Sequence, residues 1–448
     1  MESVGFDEVR AVERLQALVR VPTVSRLDES QTEWARFDEF IELLPDLYPE
    51  THSALTREVV AGHSLLYRWA GREPGDPAVL MAHYDVVPAD VDGWEHPPFA
   101  AEIVPTEHGD VVWGRGTLDD KGSLATILEA VEALAASGFQ PKHDLYLNFG
   151  HNEETTGGGA SAIVDLFEER GVRPRLVLDE GGAVVEGIFP GVGDPIAVVG
   201  VSEKGILGLT MTVEQEGGHA STPPRMTATA RLARAIVRLN SKPFPKAFTA
   251  PNLEMIRTLG ARARQPFKWV FTNLWLTRPL LLGLFTKLGD ETNAIVRTTG
   301  AVTQLQGADA ANALAERAVA VVNVRVAVGS SVAEAVAHVR RAIRDPKVRL
   351  DAQYPNEPSP VSPTHGPAWT LIKETIEHTY PGTIVTPYVM LGASDGRHFT
   401  RISANVYRFS PFQMSKAERG TLHAMNERIR VSTYLSGVLF YRQLVAGL

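Results

Sequence analysis

The sequence predicts an α/β protein: a larger domain with a mostly parallel sheet flanked by helices, interrupted by an inserted α+β unit, the lid. Three observations carry this expectation. Short apolar runs at residues 78–82, 145–149 and 176–178 alternate with amphipathic stretches, the rhythm of strands joined by crossover helices. From about Lys204 the texture changes to alternating apolar and polar residues over 207–213 and 318–326, as expected of strands with one buried face. Closely spaced prolines at 355, 358, 360 and 363 then favour an extended return to the first unit. The expected boundaries are 1–204 with 359–448 for the larger domain and 205–358 for the lid.

Taken in order, Val9, Val12, Leu15 and Leu18 predict a helix over 7–20 that Pro22 stops. Ala78-Val79-Leu80-Met81-Ala82 predicts a buried strand, followed by a helix carrying Leu124, Ile127, Leu128, Val131 and Leu134 on one face. A second strand at 145–149, a helix over 160–167 and a third strand at 176–178 complete the pattern. The inserted unit is expected to hold two longer strands, with helical stretches between and after them.

At 448 residues the chain exceeds the roughly 250–300 at which one core stops growing, so two domains are expected. A net charge of −9 is spread thinly, with no basic stripe among aromatics, which argues against nucleic acid and for a small substrate. The absence of cysteine removes disulfides, thiolate metal sites and a cysteine nucleophile, leaving His and carboxylates to bind any metal. The acidic start, Met1-Glu2-Ser3-Val4, has no apolar signal region as written, and a cytoplasmic location is expected. The lipophilic stretch at 267–285 is broken by Lys268, Arg278 and Pro279, so no membrane span is expected.

Five separated pieces carry the chemistry: His83-Tyr84-Asp85, Asp119-Asp120, Glu153-Glu154, Asp179-Glu180 and His423. At least three follow apolar runs, where a sheet delivers side chains to its carboxyl edge, and together they point to a hydrolase with two zinc ions. A two-metal site needs a carboxylate that spans ions about 3.5–4 Å apart, and Asp119 is the candidate bridge. Asp85, two residues from His83, is placed to orient its ring. Adjacent carboxylates repel unless each has a task, so Glu154 is assigned to metal and Glu153 to general-base catalysis.

The runs Met81-Ala82-His83-Tyr84-Asp85, Gly114-Arg115-Gly116-Thr117-Leu118-Asp119-Asp120-Lys121-Gly122, Gly150-His151-Asn152-Glu153-Glu154 and Leu178-Asp179-Glu180-Gly181-Gly182 resemble the aminoacylase, carboxypeptidase S and glutamate carboxypeptidase family of dinuclear zinc hydrolases. The resemblance covers nearly the whole chain. It implies His83, Asp119 and Glu180 on one metal and Asp119, Glu154 and His423 on the other, with two Zn2+ per subunit and Co2+ or Mn2+ as alternatives. Asp179 competes with Glu180 for its place, Glu180 being preferred. The Asp119–Asp120 peptide is expected to be cis.

Further resemblances lie in the lid run Gly218-His219-Ala220-Ser221-Thr222-Pro223 and in Gly392-Ala393-Ser394-Asp395. They imply a homodimer through the lid, with His219 reaching across to the oxyanion, and substrate contacts from Arg325, Asn312, Gly392 and Ser394. Ala315 stands where the family usually has proline. Val201-Ser202-Glu203-Lys204-Gly205 and Asn273-Leu274-Trp275-Leu276 look most like the carboxypeptidase S and N-fatty-acyl amino acid hydrolase branch, implying Gly-Xaa dipeptides or N-acyl amino acids as substrates. The apolar stretch around Trp269, Phe271, Trp275 and Leu280 to Leu282 is read as lid core or subunit contact, or as a cradle for an acyl chain. Rival readings are a two-metal phosphoester hydrolase and a non-catalytic carboxylate binder.

Overall fold

A computed structural model of the chain describes residues 5–155, 157–187 and 189–448. Its larger sheet has ten strands. At the centre, Leu145–Gly150, Ala78–His83, Leu176–Asp179 and Val406–Arg408 lie side by side and parallel. Antiparallel strands Thr56–Val60 and Ser64–Trp69 extend one edge.

Strand periodicity sorts the apolar residues onto two faces. Leu80, Leu147 and Leu178 join a core with Ile127, Leu128, Val438 and Leu444, from helices Lys121–Ala136 and Val431–Gly447. Val79, Met81, Tyr146 and Val177 face the other way onto Ile163, Val164 and Phe167 of helix Gly159–Glu169. Both faces are covered, which is why these strands read as unbroken apolar runs. Helix Lys121–Ala136 is buried almost all round rather than along one stripe, because helices Glu8–Arg20 and Val431–Gly447 cover the side away from the sheet. On Glu8–Arg20 the buried face is Ala11, Val12, Leu15 and Leu18, whereas Val9 points to solvent.

A second sheet orders Thr299–Gln306, Arg317–Val326, Gly205–Glu214 and Arg349–Asn356, all antiparallel. Leu207, Leu209, Met211, Val322 and Val324 pack beneath Leu232, Ala235 and Val339 of helices Ala228–Asn240 and Val332–Ile343, a core separate from the larger one. The crossing between the units is tight at Gly205, where a Cβ would lie 2.4 Å from the Asn356 carbonyl oxygen and 2.8 Å from the Pro358 nitrogen. Glycine is required there by close approach.

One stretch inside the expected insertion behaves differently. Helices Ala250–Arg262, Phe267–Thr272 and Leu274–Leu288 place Met255, Leu259, Phe271, Leu281 and Phe285 in the core of the larger sheet. Reading this stretch as lid core is therefore corrected for its buried residues: Phe271 and Leu281 pack in the core of the larger unit, whereas Trp269, Trp275 and Leu280 are exposed. Among the described residues no helix is long and apolar enough to cross a membrane.

Candidate active site

The cluster gathers at the carboxyl edge of the parallel strands. His83 ends Ala78–His83, while Glu153-Glu154 and Glu180 follow its two parallel neighbours, Leu145–Gly150 and Leu176–Asp179. Asp119 precedes helix Lys121–Ala136 through a cis peptide to Asp120. His423 enters from the loop before strand Arg428–Arg430, at a φ of 57°.

Asp119 is the pivot. Its Oδ1 lies 2.9 Å from Nε2 of His83 and its Oδ2 2.9 Å from Nε2 of His423, so one carboxylate presents an oxygen to each imidazole. Glu180 Oε1 is 3.6 Å from the same His83 nitrogen, and Glu154 Oε1 is 3.1 Å from that of His423. Donor atoms of His83, Glu153 and Glu180 lie within 4.8 Å of one another, as do those of His83, Asp119 and Glu154. Proximity alone would admit Glu153 as a ligand. Asp119, however, is the carboxylate that presents separate oxygens to both imidazoles. Asp179 directs Oδ2 elsewhere, accepting the Gly396 N–H at 2.5 Å.

Two buried carboxylates hold the cluster in place. His83 Nδ1 is 3.0 Å from the Asp85 carbonyl oxygen and 3.3 Å from Asp85 Oδ1, so backbone and side chain share the orienting contact. Asp85 also accepts the Glu153 N–H at 3.2 Å, the Glu154 N–H at 3.1 Å and the Ser25 hydroxyl at 2.7 Å. Glu427 Oε1 accepts the N–H groups of Gly116, Leu118 and Asp119 at 3.0, 2.9 and 3.2 Å, while Oε2 takes Arg115 Nη1 at 2.6 Å. It fixes the loop that carries Asp119. Lys121 Nζ donates to the carbonyls of Leu18 and Val21 at 3.1 and 2.5 Å, tying that loop to the first helix. Lys121 lies in the run 114–122 and Glu427 four residues after His423, but their partners are distant in sequence and spacing gives no hint of them.

Residues 79–447 match the sequence model of the peptidase family M20/M25/M40. The chain belongs to this family. It is 37% identical over 440 residues to the N-fatty-acyl-amino acid synthase/hydrolase PM20D1 of Xenopus tropicalis, covering 97% of this chain and 85% of that protein. It is 34% identical over 456 residues to the probable carboxypeptidase S-like 2 of Dictyostelium discoideum, covering 98% and 85%. Among solved structures, the M20 family metallo-carboxypeptidase Sso-CP2 of Sulfolobus solfataricus shares the fold with a TM-score of 0.70 at 16% identity, covering 97% of this chain and 98% of that one. As an M20 protein the chain is an enzyme of the metallopeptidase and amidohydrolase kind.

The electrostatics of this M20 site fit divalent cations. Burial pushes the Glu180 carboxyl up to about 8, with Asp119 adding to the rise. Burial likewise raises Glu153 and Asp120 well above the usual carboxylate range, and Asp395 up to about 7. Burial opposes charge on His83, yet hydrogen bonds to Asp119, Asp85 and Glu180 hold its pKa well above the ordinary value. Asp119 and Glu154 lift His423 to about 10. Carboxylates crowded into a dry site cannot all ionise without added positive charge, and the nitrogen and oxygen donors suit zinc, cobalt or manganese.

The substrate-contact candidates fall into two groups. Arg325 is on the lid strand Arg317–Val326. Burial draws its guanidinium below the ordinary range, against the pull of Glu203 and Glu153. Ser394 is buried, its N–H and hydroxyl 3.2 and 3.4 Å from Glu203 Oε2, and Glu203 pairs with Arg408 at 2.9 Å; Gly392, two residues earlier, is exposed. His219 and Asn312 are both exposed and lie together, since Gly218–His219 pairs with Ala313–Leu314 and the Asn312 carbonyl accepts the Ala220 N–H at 2.9 Å. His219 Nδ1 is 2.8 Å from the Ser221 hydroxyl. It does not join the metal cluster of its own chain.

Proposed function

We propose that this enzyme hydrolyses the amide bond next to a free carboxylate, in Gly-Xaa dipeptides or N-acyl amino acids. The observation that carries the reading is Asp119 facing His83 and His423 with separate oxygens. That arrangement supports a pair of zinc ions, one held by His83, Asp119 and Glu180 and the other by Asp119, Glu154 and His423. When bound, the pair lowers the pKa of a water from about 15.7 toward neutrality and polarises a carbonyl.

The chain's own groups do the rest. Glu153 accepts a proton from the attacking water and returns it to the leaving amine. Asp85 holds the Glu153 backbone and the His83 ring at once. Arg325 offers a planar fork to the substrate carboxylate, beside the loop of Gly392 and Ser394. His219 of the partner subunit donates to the developing oxyanion, and the exposed hairpin it shares with Asn312 supports a homodimer through the lid.

The test compares an N-acyl amino acid with its C-terminal amide on zinc-loaded protein. The acid should be cleaved with a kcat/KM at least about a hundredfold higher, the order expected for losing a buried charged hydrogen-bond pair. Equal rates would remove Arg325 as the anchor.

A further inference from the structure

Helix Leu274–Leu288 is apolar on both its sides. The inner stripe is buried, and Leu274, Leu281 and Phe285 on it join the larger core. The exposed positions are Trp275, Leu276, Arg278, Pro279, Leu280, Leu284, Lys287 and Leu288. A surface helix ordinarily turns charged and polar side chains away from the core, whereas here most of the outward side chains are apolar. Trp275 is 83% exposed, Leu280 67% and Leu276 53%. The preceding helix Phe267–Thr272 adds Phe267 and Trp269, also exposed. Phe267 lines the same hollow as Leu280, Leu284 and Leu288, so the two helices build one patch. Single exposed hydrophobes are ordinary, but a set gathered on adjoining helices marks an interaction surface.

Charge says what covers it. The chain carries −9 overall, yet residues 255–289 contain no Asp or Glu and six basic side chains. Arg257, Arg262, Arg264, Lys268, Arg278 and Lys287 are all exposed, and none forms an ion pair among the described residues. A second copy of the chain seated face to face would set these cations against their own kind, which disfavours a symmetric contact. An anionic phospholipid surface meets both properties at once. Its headgroups attract the cations, and the boundary below them accepts indole and leucine side chains. Arg278 lies three residues from Trp275 on the helix, near enough for its stem to follow the apolar surface while the guanidinium stays among headgroups. With 15 residues, the helix is about 22 Å long, short of the roughly 30 Å hydrocarbon core, so it lies along the bilayer surface.

We infer that helices Phe267–Thr272 and Leu274–Leu288 form a face that docks the enzyme on bilayers carrying anionic phospholipid. The apolar side chains enter the headgroup boundary, and the six cations hold the face there. This goes beyond the proposed amide hydrolysis and does not depend on it.

The experiment measures binding of the full chain to vesicles by co-flotation, using phosphatidylcholine alone and phosphatidylcholine with a quarter phosphatidylglycerol. The protein should float with the anionic vesicles at least tenfold better than with the neutral ones, and 0.5 M salt should remove most of that preference. The double variant Trp275→Ala, Leu276→Glu should weaken binding to anionic vesicles at least tenfold. Lys268→Glu with Arg278→Glu should abolish the preference for the anionic lipid. These four side chains are exposed, and unchanged circular dichroism and Tm show that each variant is folded. Tryptophan emission should be quenched by lipids brominated near the headgroups, and Trp275→Phe should reduce the quenching while binding persists. No binding to anionic vesicles at low salt, or equal binding by wild type and both folded double variants, would overturn the inference. A wild-type oligomer that Trp275→Ala, Leu276→Glu dissociates, with no vesicle binding, would also overturn it and make the patch a subunit contact.

Discussion

Glu153→Gln should keep both metal ions and lose nearly all turnover, by about 10²–10⁴-fold, the range supplied by a positioned general base. Glutamine preserves the size of the side chain and leaves the backbone N–H on Asp85 Oδ1 at 3.2 Å, so the fold of the loop is retained. Glu153 is the member of the glutamate pair left without a bridging duty, since Asp119 spans the two imidazoles and Glu154 meets His423. Burial raises its affinity for a proton, which suits a group that must accept one and give it back. Metal analysis alongside single-turnover rates checks this. A variant retaining more than about a tenth of the wild-type rate with both metals bound would remove Glu153 as the base.

His219→Ala should slow hydrolysis by about 10²–10³-fold with metal content intact, as for loss of an oxyanion donor. In a single chain this histidine is exposed, touching Ser221 rather than the metal cluster, so its effect requires a second subunit. Mixing His219→Ala chains with Glu153→Gln chains under conditions of subunit exchange should restore activity. Each mixed dimer then holds one site in which an intact Glu153 meets an intact His219. No loss in the single variant would return His219 to the lid surface, and a loss without rescue would place its action within one chain.

Local patterns in the sequence are legible where one element sets the outcome. His83-Tyr84-Asp85 and the apolar runs before Glu153 and Glu180 gave the edge of the sheet, because strand periodicity alone determines where such residues emerge. The second duty of Asp85, on the amides of Glu153 and Glu154, was not legible, since it joins segments nearly seventy residues apart. Glu427 escaped for the same reason: its three backbone partners lie more than 300 positions upstream. Position between lid strands points the stretch at 267–285 to the lid, but Phe271, Leu281 and Phe285 pack on the larger sheet. Hydrophobic spacing says that a face will be buried, and says nothing about which neighbour buries it.

The central claim is that two metal ions shared by Asp119 drive amide cleavage, and its most direct test is titration of chelator-stripped protein with zinc while measuring hydrolysis of one N-acyl amino acid. Activity should return with about two zinc per chain bound, and Asp119→Ala should bind neither ion stably and stay inactive. Full activity in the stripped protein, or in Asp119→Ala, would contradict the account.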